Sequence, residues 1–303
     1  MIKDFSALGD LTIWLGLEEG AQDSIIHDFN HILGHDYLFQ YVRSYSDTPS
    51  LRIATFLHLP TEMEFNLIIG GSFDMGFSLQ EEKAARAINY DLPFSPDFMR
   101  PVHTVQVKPF LMSRFPITSS FAQKHIEFAP DVFRPEFGES DDDIVPIYLT
   151  REEIDSLKAK FGFQLPSEAQ WEYACRGGTK TLFYFGDNLP DETTLENRIL
   201  LYNFNDTDAC NKAANPFGLV GMAVGEWCED LFHNDFTNAS GNDQPVDAGP
   251  PYVIRGGAAA LWPWQECDEW ILCISAMRRS SDTLEDGTCG ARFVKILDLD
   301  GCS

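Results

Sequence analysis

Basic residues and cysteine are scarce in this sequence. Its 303 residues carry 22 Lys and Arg against 47 Asp and Glu, a formal charge of −25. That balance excludes sequence-independent nucleic-acid binding, which draws on clustered Lys and Arg. It disfavours an anionic membrane surface for the same reason. No run of about 18 apolar residues is present, so no segment reads as a membrane-spanning helix. The start, Met1-Ile2-Lys3-Asp4-Phe5, lacks the basic stretch, apolar core and cleavage site of a secretory signal. The seven cysteines are odd in number and scattered, which fits reduced thiols better than a disulfide framework. A cytoplasmic protein is expected, and the Asn-x-Ser/Thr triplets at Asn205 and Asn238 are then chance matches. Phosphate-cradling glycine loops, His-Glu-x-x-His, Gly-x-Ser-x-Gly and Cys-x-x-Cys are all missing.

Apolar residues are plentiful: 44% of the chain, with 13% aromatic, enough for a sizeable core. Residues 1–62 read as a small α+β lead segment. Asp23-Ser24 opens a helix whose Ile25, Ile26, Phe29, Ile32 and Leu33 share a face and which Gly34 can close. A strand is expected from Leu51 to Leu59, ended by Pro60. Residues 63–303 have short apolar runs between glycine, proline and aspartate, the texture of a loop-rich domain. Two capping boxes signpost helices there, at Thr150-Arg151-Glu152-Glu153 and Ser167-Glu168-Ala169-Gln170.

Three constellations carry some chemistry. His27, His31 and His35 are spaced by four along a helix edge facing away from the apolar stripe, and they span about 12 Å, too far to converge on one ion. Cys267 and Cys273 flank a tryptophan-rich stretch. Two thiolates brought together suit a soft metal such as copper or zinc, whereas paired buried cysteines also pack simply as small hydrophobes. Trp262, Trp264 and Trp270 in the same stretch serve either as core plugs or as an aromatic recognition face.

Four ordered blocks resemble the formylglycine-generating-enzyme (sulfatase-modifying-factor) family over residues 66–296. They are Ile69 to Gly76; Pro101-Val102-His103-Thr104-Val105 with Phe115-Pro116-Ile117-Thr118; Leu165 to Gly178 with Gly186-Asp187; and Asn215 to Leu219, Gly225 to Asp230, Arg255-Gly256-Gly257 and Gly290-Ala291-Arg292-Phe293. The resemblance implies an α+β, C-type-lectin-like fold, in which Trp171, Trp227 and Arg292 are core or buried ion-pair groups and His103 is structural. Members resemble copper enzymes that oxidise a cysteine to formylglycine, iron-dependent sulfur oxidases, or non-catalytic lectin-like binders.

The departures from the family pattern bear on function. Leu261 stands where the copper enzymes place their first cysteine, and Cys267 and Cys273 arrive late. The lead segment is too short for the helical bundle of the iron enzymes. The calcium loop is two residues short before Val224-Gly225-Glu226-Trp227, which leaves Asn203 and Asp206 as alternative calcium ligands. Two readings follow. One is a non-catalytic module binding a protein or small-molecule ligand through Trp262, Trp264, Trp270 and Arg278 on a C-terminal loop face. The other is a copper- or iron-dependent oxidoreductase with a rearranged site at Cys267 and Cys273.

Overall fold

The lead segment turns out to supply strands to the main sheet. In a computed structural model, residues 4–47, 49–130, 132, 144–188, 204–247, 249–257, 269–281 and 289–299 are described. Helix α1 (Leu11–Gly16) begins on Asp10, whose carboxylate accepts the Thr12 and Ile13 N–H groups. Helix α2 (Glu19–Ile32) starts earlier than Asp23-Ser24 and is followed by Gly34 at φ +82°. It buries Ile26 and Phe29, members of the expected stripe. Strands β1 (Tyr37–Ser44) and β2 (Arg52–His58) follow, then β3 (Met63–Ile68). The position expected to separate lead from domain, residue 62, lies in the turn between β2 and β3, which pair antiparallel with Phe56 opposite Phe65.

The remaining elements are β4 (Gly71–Met75), α3 (Leu79–Ile88), β5 (His103–Val107), β6 (Phe110–Ser113), α4 (Ser119–His125), α5 (Arg151–Phe161), α6 (Glu168–Arg176), α7 (Thr207–Ala213), β7 (Glu226–Leu231), β8 (Tyr252–Arg255), β9 (Arg278–Ser281) and β10 (Val294–Ile296). Among the described residues they form an antiparallel five-stranded sheet in the order β1-β2-β3-β6-β10, a two-stranded sheet of β4 and β5, and the sheet β7-β8-β9. The α+β architecture is the one expected. Both capping boxes are made: Thr150 with Glu153, and Ser167 with Gln170. Helices α5 and α6 then end on left-handed Gly162 and Gly177.

One apolar core runs from the lead to the last strand. Phe29, Phe56, Phe65, Phe163 and Phe293 belong to it, and all are nearly or fully buried. Phe29 meets Phe56 edge-on at 5.6 Å, and Phe163 stacks on Phe293 at 5.1 Å. A second cluster gathers Phe77, Met99, Phe183, Trp270 and Met277. The turn after β8 needs glycine: Gly256 sits at φ +69°, and a Cβ there would lie 2.5 Å from the Val224 carbonyl oxygen.

Candidate functional site

Helix α6 carries a charged row on an interior face. Glu168, Glu172 and Arg176 recur every four residues, so they stack along one side of the helix. All three are buried. Glu172 accepts from Arg176 Nε at 2.9 Å and also bonds Arg255, while Arg176 reaches on to Glu81 at 2.9 Å. Burial pushes the Glu172 carboxyl up, but the Arg176 and Arg255 charges outweigh it and hold it below the usual carboxylate range. Glu168 takes both Nε and Nη2 of Arg278, each at 2.7 Å, in a bidentate pair. Glu226 receives Arg292 at 2.9 Å and Trp171 Nε1 at 2.7 Å. Charged groups buried this deeply persist only when paired, and these are paired. They are framework rather than reactive groups.

Above the start of α6 lies a cavity of about 390 Å³. Its walls are the beginning of β5 (His103, Val105), the first turn of α6, the end of β7 and the loop over residues 232–247. Backbone contacts pin that loop. Phe232 N–H donates to Pro251, Phe236 N–H to Arg100, and Gln106 N–H to Gly241. Carboxylates pin it as well. Asp243 accepts the Lys108 N–H at 3.0 Å, and Asp230 accepts the Val246 N–H at 3.0 Å and the Glu168 N–H at 2.7 Å. Phe236 is buried, and the Arg278 guanidinium lies 4.4 Å from the Phe232 and Phe236 rings.

Besides apolar groups such as Val105, Phe236 and Val246, the lining includes the polar side chains of His233, Asn234, Asp235, Asn238, Asn242, Gln244 and Asp247. Asp247 adopts φ +43°, a left-handed conformation that Asp tolerates better than most residues, and its carboxylate is 3.9 Å from His233 Nε2. Arg278 also lines the cavity, but its charge is neutralised by Glu168. Burial, followed by the charge of Glu168, raises the Asp230 carboxyl to about 7. The cavity therefore offers amide donors and acceptors together with exposed carboxylates. That set suits hydroxyl- or ammonium-bearing ligands.

Among the described residues, those singled out in the sequence are not brought together. Arg278 is buried beneath the cavity. Trp270 is buried in the 3₁₀ turn Glu269–Cys273, edge-on to Phe183 at 6.2 Å, and Cys273 is buried in the same apolar cluster. Asp206 caps α7, accepting the Asp208 and Ala209 N–H groups at 2.9 and 3.0 Å. Trp262, Trp264, Cys267 and Asn203 lie outside the described residues. His27 and His31 pack ring to ring at 4.7 Å on α2, and His35 lies beyond its end. Among the described residues no three His, Cys, Asp or Glu side chains converge as a metal site. Sequence reasoning missed the loop over 232–247. Its signal was the density of Asn and Asp between Asn234 and Asn242.

The family model of the sulfatase-modifying factor enzyme 1-like domain matches residues 54–295, roughly four fifths of the chain. The chain belongs to the sulfatase-modifying factor enzyme 1-like domain family. Its β2-to-β10 body is that domain, and α1, α2 and β1 precede the match. The serine/threonine-protein kinase pkn1 of Chlamydia caviae is 31% identical over 140 residues, covering 44% of this chain and 21% of that protein. The protein of the same name from Chlamydia pneumoniae is 30% identical over 144 residues, covering 45% and 22%. The matched region is thus about a fifth of these relatives' length. Treponema denticola variable protein 1 superposes with a TM-score of 0.51 at 16% identity, covering 84% of this chain and 99% of that one, a likeness of fold alone.

Proposed function

We propose that this chain is a non-catalytic ligand- or protein-binding module of the family, using its lectin-like surface, with the cavity under the 232–247 loop as the recognition site. The observation that carries this reading is the contrast across that cavity. The charged residues beneath it are locked in buried ion pairs, while the loop above is pinned by its backbone and presents amides and carboxylates around open space. A preorganised loop with polar side chains binds without the cost of ordering it. The chlamydial relatives support the reading. The segment they share with this chain is about a fifth of a protein named as a kinase, the proportion a recognition module accompanying another activity would have.

The test is a binding screen of the full chain against immobilised glycans and cationic peptides, followed by titration of whatever binds. Asn238→Ala and Asp247→Asn are each expected to weaken binding about fivefold, the equivalent of one lost hydrogen bond of about 1 kcal/mol, with an unchanged melting temperature. Binding indifferent to both variants would remove the site from this cavity. The alternative is the metal-dependent oxidoreductase with Cys267 and Cys273. Stoichiometric copper or iron in anaerobically purified protein, lost on Cys273→Ser, would replace the binding reading with that one.

A further inference from the structure

Among the described residues β1 is an outer strand of the five-stranded sheet, paired with β2 along one side. Its sequence, Tyr37 to Ser44, contains neither proline nor lysine, the residues that most often blunt such edges. Leu38 is 51% exposed and Phe39 37%. The register slips at Gln40: Phe39 pairs with Phe56 and Tyr41 with Thr55, so Gln40 has no counterpart in β2. A one-residue slip exchanges the faces of a strand.

Asp36, whose carbonyl accepts the Leu59 N–H at 2.7 Å and so prolongs the ladder, therefore shares a face with Leu38, Tyr41 and Arg43. The hydroxyl of Tyr41 confirms the face. It reaches the carboxylate of Glu64 at 3.3 Å, and Glu64 pairs with Leu57, which itself pairs with Leu38. Tyr37 and Phe39 lie on the opposite face, against Phe65 and Phe56. The first face thus runs acid, leucine, bulge, tyrosine, arginine. Turned by a two-fold axis, that order is its own complement.

We infer that β1 pairs antiparallel with β1 of a second copy of this chain, about an axis at Phe39-Gln40, joining two five-stranded sheets. In this register Asp36 faces Arg43, and Leu38 faces Tyr41, each twice. Asp36 and Arg43 are both exposed. The Arg43 guanidinium rests 5.3 Å from its own strand's Tyr41 ring, within reach of the edge. Opposite charges and apolar–aromatic pairs placed directly across two strands stabilise the ladder. The contact uses the same patch on both copies, so it closes as a dimer rather than growing into a fibre. The overall charge of −25 opposes association, but salt screens it beyond about 8 Å at physiological ionic strength. The local pairs then decide.

Sedimentation velocity of the full chain at physiological ionic strength tests this, with a species of twice the chain mass expected. Asp36→Arg alone sets arginine against arginine twice, and Arg43→Asp alone sets acid against acid. Each is expected to raise the dimer dissociation constant about tenfold. The double variant restores the pairing with reversed polarity and should return the constant to the wild-type value. Both positions are exposed, so an unchanged circular-dichroism spectrum will show that folding is intact. A monomer at every concentration, or a dimer indifferent to both single reversals, overturns the inference.

Discussion

Asp230 shows how a single residue links loop, helix and pH. Its two oxygens hold the N–H groups of Val246 and Glu168, and it is thereby buried beside another carboxylate. With its carboxyl raised to about 7, the folded state holds a proton that the unfolded chain has released above about 4. The stabilisation this gives is present at low pH and is lost as pH rises from about 4 to about 7. Asp230→Asn cannot ionise. The stability of wild type minus that of the variant, from denaturant titrations, should therefore fall across that window. Parallel curves would show an ordinary, ionised carboxylate. The shift was not legible in the sequence, where Asp230 is one of a run of acids with Glu226 and Glu229. Its burial at the end of β7 and, after that, the approach of Glu168 from α6 raise its carboxyl, and both depend on the tertiary fold.

Among the elements, helices were easier to read than strands. Thr150-x-x-Glu153 and Ser167-x-x-Gln170 satisfy their own backbone groups locally, so α5 and α6 could be placed from a few consecutive residues. Strand β1 escaped notice because Tyr37 to Ser44 does not alternate cleanly, the bulge at Gln40 breaking the period of two. The tie between lead and domain was equally invisible. Strand β2 lies between β1 and β3, and it buries Ile53, Ala54 and Phe56 in the common core. A chain begun at Met63 would expose one side of β3 and lose those contacts, each large side chain being worth about 2–5 kcal/mol. We expect that truncated chain to be unfolded or aggregated by circular dichroism and sedimentation. A cooperative melt from it would show that residues 63–303 fold without the lead.

At the scale of the whole molecule, the cysteines report on the integrity of the fold. Cys175, Cys210, Cys228, Cys273 and Cys289 are all buried. Burial raises the thiols of Cys175 to about 12 and Cys210 to about 11, and that of Cys228 well above its ordinary value. The reactive form is the thiolate, so labelling at neutral pH requires the structure to open. Mapped by mass spectrometry, Cys175 and Cys228 should label together, at the rate of global unfolding, and immediately in denaturant. A native Cys228 that reacts like a free thiol would mean that β7 opens to solvent and would overturn this picture of a sealed core.

By itself the sequence determined the family, the α+β class, the helix boundaries set by capping and glycine, and the acidic surface. Each of these depends on residues near one another in the chain, or on ordered blocks that survive divergence. Tertiary structure alone decided the rest. The cavity needs His103, Glu168, the 232–247 loop and Arg278, which are far apart in sequence and meet only because β5, α6, β7 and β9 pack together. The same packing drew Arg278 into a buried pair with Glu168 and Trp270 into the core. Side chains that read as candidates for a recognition surface were needed inside, where an arginine must find a carboxylate and a large ring must fill space.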